Sequence, residues 1–301
     1  MPIRICNADT PELLDGVYKV RHKVFSEEEG KFEATDDGRV IDRFDAYQTS
    51  HCMAVVNNEE VVGSMRITLD SPLGLPADEF FDFRSHLPAD SKLFSCGMYC
   101  VQKDFRAPRI ALGLIMMASY LSMSNGVSHV AAPINPAIAK LLKRVGFKQL
   151  GDEFKDPHFG LPVLPMLLDI NDLNDHFINF VKQNDLYNFL HSYEYYTFSK
   201  DEHVIKSGEP GDMAYVIIEG EVEIKNNSAL LGSLKEGDIF GELALLTEDV
   251  RSADVFAKTD VKAMTLHKDA FLKHLHTNPD QAMKLINTLG QRIKSLNEKV
   301  I

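Results

Sequence analysis

The spacing of apolar positions changes character along the chain. Up to about residue 165, apolar runs of strand length alternate with stretches of helical period; between 195 and 267 they shrink to short segments broken by glycine. In the first part Leu93–Val101 reads as a strand, Ile110–Met123 as a helix and His129–Ala132 as a short strand. Asn135–Val145 reads as a helix stopped at Gly146, with Phe147 opening another strand. In the second part strands are predicted at Tyr215–Ile218, Glu221–Ile224, Leu230–Leu234, Ala253–Phe256 and Val261–Leu266, separated by glycine-containing turns. Strands this short, with turns this regular, fit an antiparallel roll or barrel. Between the two parts Leu173, Phe177, Phe180 and Val181, then Leu186, Phe189 and Leu190, recur at spacings near three and four and predict amphipathic helices. A second helical pattern runs from Asp269 to the chain end, with Leu285, Leu289, Ile293 and Leu296 on one stripe. The expected fold class is α+β: a mixed α/β domain over 1–165, a helical linker over 166–193 and an antiparallel β-roll with flanking helices over 194–301.

Composition supports two cores, since 45% of 301 residues are hydrophobic. A net charge of -12 argues against nucleic acid as a partner, because phosphate backbones need clustered Lys and Arg. The exception is 91–150, with 8 Lys and Arg against 1 acidic residue, a candidate seat for an anionic ligand. Cys6, Cys52, Cys96 and Cys100 form no CxxC pair and read as reduced packing residues, with no metal site. Met116, Met117 and Met123 read as helix core or as lining for an acyl tunnel. The start of the chain has no leader pattern and no window has the length and apolarity of a membrane span, so a cytoplasmic location is expected.

Two stretches carry the chemistry. In FGELALLTEDVRSADV, Phe240 to Val255, a glycine precedes a short helical turn and a lone arginine follows nine residues after Glu242. Amides and one guanidinium suit a singly charged phosphate, and a carboxylate beside them accepts hydrogen bonds from a sugar hydroxyl. The alternative is that Arg251 pairs with a neighbouring carboxylate. The stretch, with SGEPGDMAYVIIEGEVEI before it, resembles the cyclic-nucleotide-binding domain family over roughly 186–301. That resemblance implies that Glu242 receives the ribose 2′-hydroxyl and Arg251 the cyclic phosphate, with Phe240, Gly241, Leu243, Ala244, Ser252 and Ala253 completing the pocket. Ser252 beside the arginine is similar to the cAMP-binding members; cGMP is the other candidate. The residues after Asp269 are too few for a helix-turn-helix, so the output is expected in the N-terminal half.

There, the run from Leu93 to Gly151 reads strand, basic turn, apolar helix, strand, helix. Lys103, Arg106 and Arg109 lead into a helix N-terminus, an arrangement that attracts anions, unless the turn is simply solvated. The run resembles the GNAT acyltransferase fold. With RHKVF and DRFD between Arg21 and Asp45, and VVGSMRI after them, residues 4–155 resemble autoinducer synthases and bacterial N-acyl amino acid synthases. The resemblance implies that Lys103, Arg106 and Arg109 hold the phosphate of an acyl carrier, acyl-CoA or acyl-carrier protein. Arg21, Phe25, Phe32 and Arg66 would shape the acceptor and acyl sites, and Asp45 or Asp42 would polarise a small amine or amino acid acceptor. Tyr99 would protonate the leaving thiolate. Asp42 and Asp45 are equally readable as ion-pair partners of Arg21 and Arg66 that brace the fold. Ser95 and Met98 stand where autoinducer synthases carry Glu and Arg, so homoserine-lactone synthesis is not implied.

The expected activity is N-acyl transfer regulated by cyclic nucleotide. The alternatives are a non-catalytic nucleotide sensor with a degenerate carrier-binding domain, and a protein-lysine acetyltransferase. The sequence leaves the oligomeric state open.

Overall fold

The computed structural model describes residues 3–156, 160–173, 194–226, 229–247, 249–277 and 279–300. These fall into two compact units, one up to 173 and one from 194 onward.

The N-terminal unit runs β1 (Ile3–Asn7), α1 (Pro11–His22), β2 (Ser50–Asn57), β3 (Glu60–Leu69), β4 (Leu93–Val101), α2 (Pro108–Ser124), β5 (His129–Ile134), α3 (Ala139–Val145), β6 (Lys148–Gln149), β7 (Phe154–Lys155) and β8 (Pro162–Asp169). Its sheet has the order β1-β2-β3-β4-β5-β8-β6, with β7 also on β8. Every pairing is antiparallel except β4 with β5. Helix α1 starts where the Thr10 side chain accepts the Leu13 amide and Pro11 occupies the first turn. It packs Val17 and Val20 on Cys52, Ala54 and Val56. A two-residue turn with positive φ at both Asn58 and Glu59 closes the β2–β3 hairpin, matching the twist of the strands. Helix α2 is apolar on most of its surface and buries Ile110, Leu114, Met117 and Tyr120.

Two irregularities shape the middle of this sheet. Strands β4 and β5 pair only from Leu93–Ser95 to His129–Ala131, although both continue, so their C-terminal halves separate into a V. Farther along β4, Arg66 faces Gly97 and Ser64 faces Cys100. Met98 and Tyr99 therefore share Met65 as partner, a β-bulge in which Met98 takes φ 50.

Three expectations change. The helix predicted over 135–145 is a 3₁₀ turn, Pro136–Ile138, capped by the Asn135 side chain, followed by α3. The strand predicted to end at Ala132 continues to Ile134, because Pro133 lies beyond the last pair with β4 and costs that edge no ladder bond. The domain end expected at 165 cuts β8, which stays paired with β5 as far as Asp169. Most of the expected linker helices, 174–193, lies outside the described residues.

The C-terminal unit runs β9 (Tyr195–Phe198), β10 (His203–Ile205), β11 (Met213–Glu219), β12 (Glu221–Asn226), β13 (Ala229–Lys235), β14 (Ile239–Phe240), α4 (Glu242–Thr247), β15 (Asp254–Ala257), β16 (Val261–His267), α5 (Lys268–Thr277) and α6 (Pro279–Val300). Two antiparallel sheets, β14-β11-β16-β9 and β10-β15-β12-β13, share a core of Phe198, Tyr215, Ile217, Val222, Phe240 and Val255. This is the expected β-roll, with helices following it. No helix among the described residues is long and apolar enough to cross a membrane.

Candidate functional sites

In the roll, Gly241 at φ 77 turns the chain from β14 into α4 and puts Glu242 first in the helix. Arg251 is pinned to the 207–211 turn through its backbone: its N–H donates to Glu209 (2.9 Å) and its carbonyl accepts from Gly208 (2.9 Å). The guanidinium then donates from Nη1 to the Gly241 carbonyl and from Nη2 to that of Met213, both at 2.7 Å. It fits there because two neighbours lack side chains. A Cβ on Gly211 would lie 2.7 Å from Arg251 Cζ, and one on Gly241 would lie 2.9 Å from Nη1. Among the described residues Arg251 meets carbonyls and no carboxylate.

Glu242 is buried, and its Oε1 accepts from Nη1 of Arg292 at 2.8 Å, while Nη2 of Arg292 donates to the Ile239 carbonyl at 2.7 Å. Burial pushes the Glu242 carboxyl above the usual range against the pull of Arg292. Arg292, on α6, is absent from the sequence reading. It stands 50 residues from Glu242 on the polar side of an amphipathic helix, where nothing local marks it. Ala244 is buried beside Gly211, Ala253 is half-buried, and Leu243 and Ser252 are exposed. Phe240 requires a correction: its ring is buried in the roll and stacks on Tyr215 at 5.0 Å. It anchors the turn from inside rather than lining the pocket.

In the N-terminal unit the fold gathers Arg21, Asp42, Asp45 and Arg66. Nη1 of Arg21 donates to both Asp45 oxygens, at 3.0 and 2.9 Å, and Nη2 donates to the Cys52 sulfur at 3.2 Å. Nη1 of Arg66 meets Asp45 at 3.1 Å and bonds Asp42 as well. The Asp42 amide donates to Asp45 at 3.0 Å, and the Asp42 side chain caps the same 3₁₀ turn, Arg43–Ala46. Asp45 is 1% exposed and Asp42 30%. Burial alone would raise the Asp45 carboxyl, but Arg21, Arg66 and the Asp42 amide hold it below the usual carboxylate range. The Phe25 and Phe32 rings lie 5.1 Å apart, tilted by 48°. Tyr99 lies on the bulge, its phenol pushed up to about 12, chiefly by burial.

The basic turn is not uncompensated. Glu28, at the end of a π-helical turn after α1, accepts from the Lys103 amide at 3.2 and 3.1 Å and from Nη2 of Arg106 at 3.0 Å. Glu29 takes the same Nη2 at 2.8 Å. The basic turn and the acidic residues that follow α1 form one cluster. Arg109 sits in the first turn of α2.

A family model described as N-acyl amino acid synthase FeeM matches residues 16–169, just over half of the chain. The chain belongs to this family. A second model, the cyclic nucleotide-binding domain, matches residues 196–278, so FeeM-type acyltransferase and nucleotide-binding domains follow each other. Among curated proteins, a cAMP-dependent protein kinase regulatory subunit of Yarrowia lipolytica is 47% identical over 74 residues, 24% of this chain and 20% of that protein. A cGMP-dependent protein kinase of Caenorhabditis elegans is 44% identical over 68 residues, 23% of this chain and 9% of that one. The matches thus span a fifth or less of those two proteins. A solved structure of FeeM, an N-acyl amino acid synthase from uncultured soil microbes, aligns with TM-score 0.47 and 18% identity over 57% of this chain and 93% of its own.

Proposed function

We propose that this FeeM-family member is a cyclic-nucleotide-regulated N-acyltransferase with a GNAT-like N-terminal domain, moving an acyl group from acyl-CoA or acyl-carrier protein to an amine. The observation that carries the reading is the V between β4 and β5, with the bulge at Met98–Tyr99 on one arm and the arginine–carboxylate cluster beside it. Past Ser95 the β4 edge turned toward β5 has no ladder partner among the described residues, so apart from the Val101 carbonyl, which accepts from Nε of Arg106, its backbone groups are available to an extended carrier arm and a thioester carbonyl. The amine nitrogen attacks the carbonyl carbon, the C–N bond forms, the C–S bond breaks, and the proton lost from nitrogen ends on the released thiol.

Within this reading Asp45 remains ionised and fully engaged, and holds Arg21 and Arg66 in place instead of accepting a proton. Asp42, the more exposed carboxylate, is the one able to meet the acceptor. Phe25 and Phe32 offer an apolar wall to the acyl chain. Tyr99, with a pKa of about 12, stays a neutral phenol that donates a hydrogen bond to the leaving sulfur, since so weak an acid transfers its proton poorly at neutral pH. Lys103, Arg106 and Arg109 receive the carrier phosphate once Glu28 and Glu29 yield.

In the roll, Arg251 takes the cyclic phosphate and Glu242 the ribose hydroxyl. Ser252 favours cAMP over cGMP, and the curated relatives include kinases of both kinds. Arg292 links the ribose site to α6. The reading is tested by thiol release from acyl-CoA and acyl-carrier-protein thioesters against an amine panel. Thiol released in step with N-acylated product supports it. Carrier binding without release in any combination would leave the non-catalytic sensor.

A further inference from the structure

Ser50, Thr68, Ser95 and Ala131 are cross-strand neighbours on β2, β3, β4 and β5, so their side chains share one face of the N-terminal sheet. The Ser50 and Thr68 hydroxyls bond each other at 2.8 Å. Ser95 is 2% exposed, yet its Oγ has no hydrogen-bond partner among the described residues. The next row on the same face holds Cys52, Arg66 and Gly97. Arg66 contributes a second buried, unpartnered atom, its Nε, and a Cβ on Gly97 would meet nothing within 4 Å. Ser95 is also the last β4 residue paired with β5, so its hydroxyl stands at the apex of the V.

An unpaired buried hydroxyl destabilises a fold, and native structures hold few of them. Here two unpaired polar atoms occupy adjacent rows beside open space, next to the point where the strands part. A ligand that offers an N–H to Oγ and an oxygen to Nε completes both. We propose that Ser95 is the acceptor-positioning residue: its hydroxyl oxygen accepts one N–H of the attacking amine and so aims the nitrogen lone pair into the V. The proposal rests on the N-acyltransferase reading. Ser95 moves no proton, because its alkoxide is out of reach at neutral pH; its effect is on where the amine sits.

The test compares wild type with Ser95→Ala in full-length protein, measuring KM for the amine, KM for the acyl donor and the melting temperature. Loss of one neutral hydrogen bond is expected to raise the amine KM about three- to tenfold while the donor KM holds. The melting temperature is expected to stay level or rise, since the variant removes a buried unpaired group. An unchanged amine KM would overturn the proposal. So would a variant that melts lower with both KM values shifted, or that fails to fold, since Ser95 would then be a packing residue. Failure of the underlying reading looks different: wild type itself then releases no thiol with any amine.

Discussion

Asp45 and Arg21 form an ion pair with 1% and 0% of their side chains exposed. Breaking such a pair leaves one buried charge uncompensated, at a cost of about 3–5 kcal/mol. Asp45→Asn is therefore expected to unfold at markedly lower urea concentration. The sign of the pH effect follows from the depressed carboxyl. Its contribution is complete above the ordinary carboxylate value near ~4 and is lost as pH falls through the lower folded value. The variant should accordingly lack part of the acid limb seen in a wild-type stability profile; an unchanged urea midpoint with an unchanged acid limb would show that the pair contributes nothing. Arg251 makes the complementary case in the roll. Its removal deletes the arginine that the fold squeezes between Gly211 and Gly241, and a charged hydrogen bond to a buried anion is worth about 1.5–3 kcal/mol. Calorimetry with cAMP on Arg251→Ala is expected to show affinity down by at least tenfold, and undiminished binding would refute the phosphate assignment.

At the scale of elements, the basic turn before α2 and the acidic turn after α1 act as one unit. Each exposed ion pair contributes about 0.2–1 kcal/mol, so the Glu28→Gln, Glu29→Gln double variant is expected to lower the KM for a phosphate-bearing donor about two- to tenfold. A raised donor KM would mean instead that the two carboxylates brace the turn in its binding shape. The strand–turn–helix run from Leu93 was legible because its periodicity and its basic residues are local. The contact between Glu28 and the Lys103 amide joins residues 75 apart, and no window along the chain displays it. The bulge was illegible for a related reason, since it shows only in the register of Met98 and Tyr99 against β3 and in the positive φ of Met98, a residue that does not advertise such a backbone. The candidate site of the roll was legible in Glu242 and Arg251, which share one short stretch. It was not legible in Arg292, nor in Phe240, whose place in a matching motif did not reveal that its ring faces the core. The Arg21–Asp45 and Arg66–Asp42 pairs were foreseen as one of two readings, because carboxylates and arginines recur together there; which oxygen meets which nitrogen required the fold.

At the scale of the whole molecule, the chain joins a FeeM-type domain to a cyclic nucleotide-binding domain. A nucleotide can alter acyl transfer only by binding one of two states of the protein more tightly, and such couplings typically amount to about 1–3 kcal/mol. In the proposed function Arg292 would tie α6 to pocket occupancy, because its guanidinium holds the Glu242 carboxylate proposed to take the ribose. The most direct test is the rate of thiol release at fixed acyl donor and amine, with and without saturating cAMP, in wild type and in Arg251→Ala. cAMP is expected to change the wild-type rate and to leave the variant's rate unaltered. A wild-type rate that is the same with and without cAMP, in protein shown by calorimetry to bind it, would contradict the account.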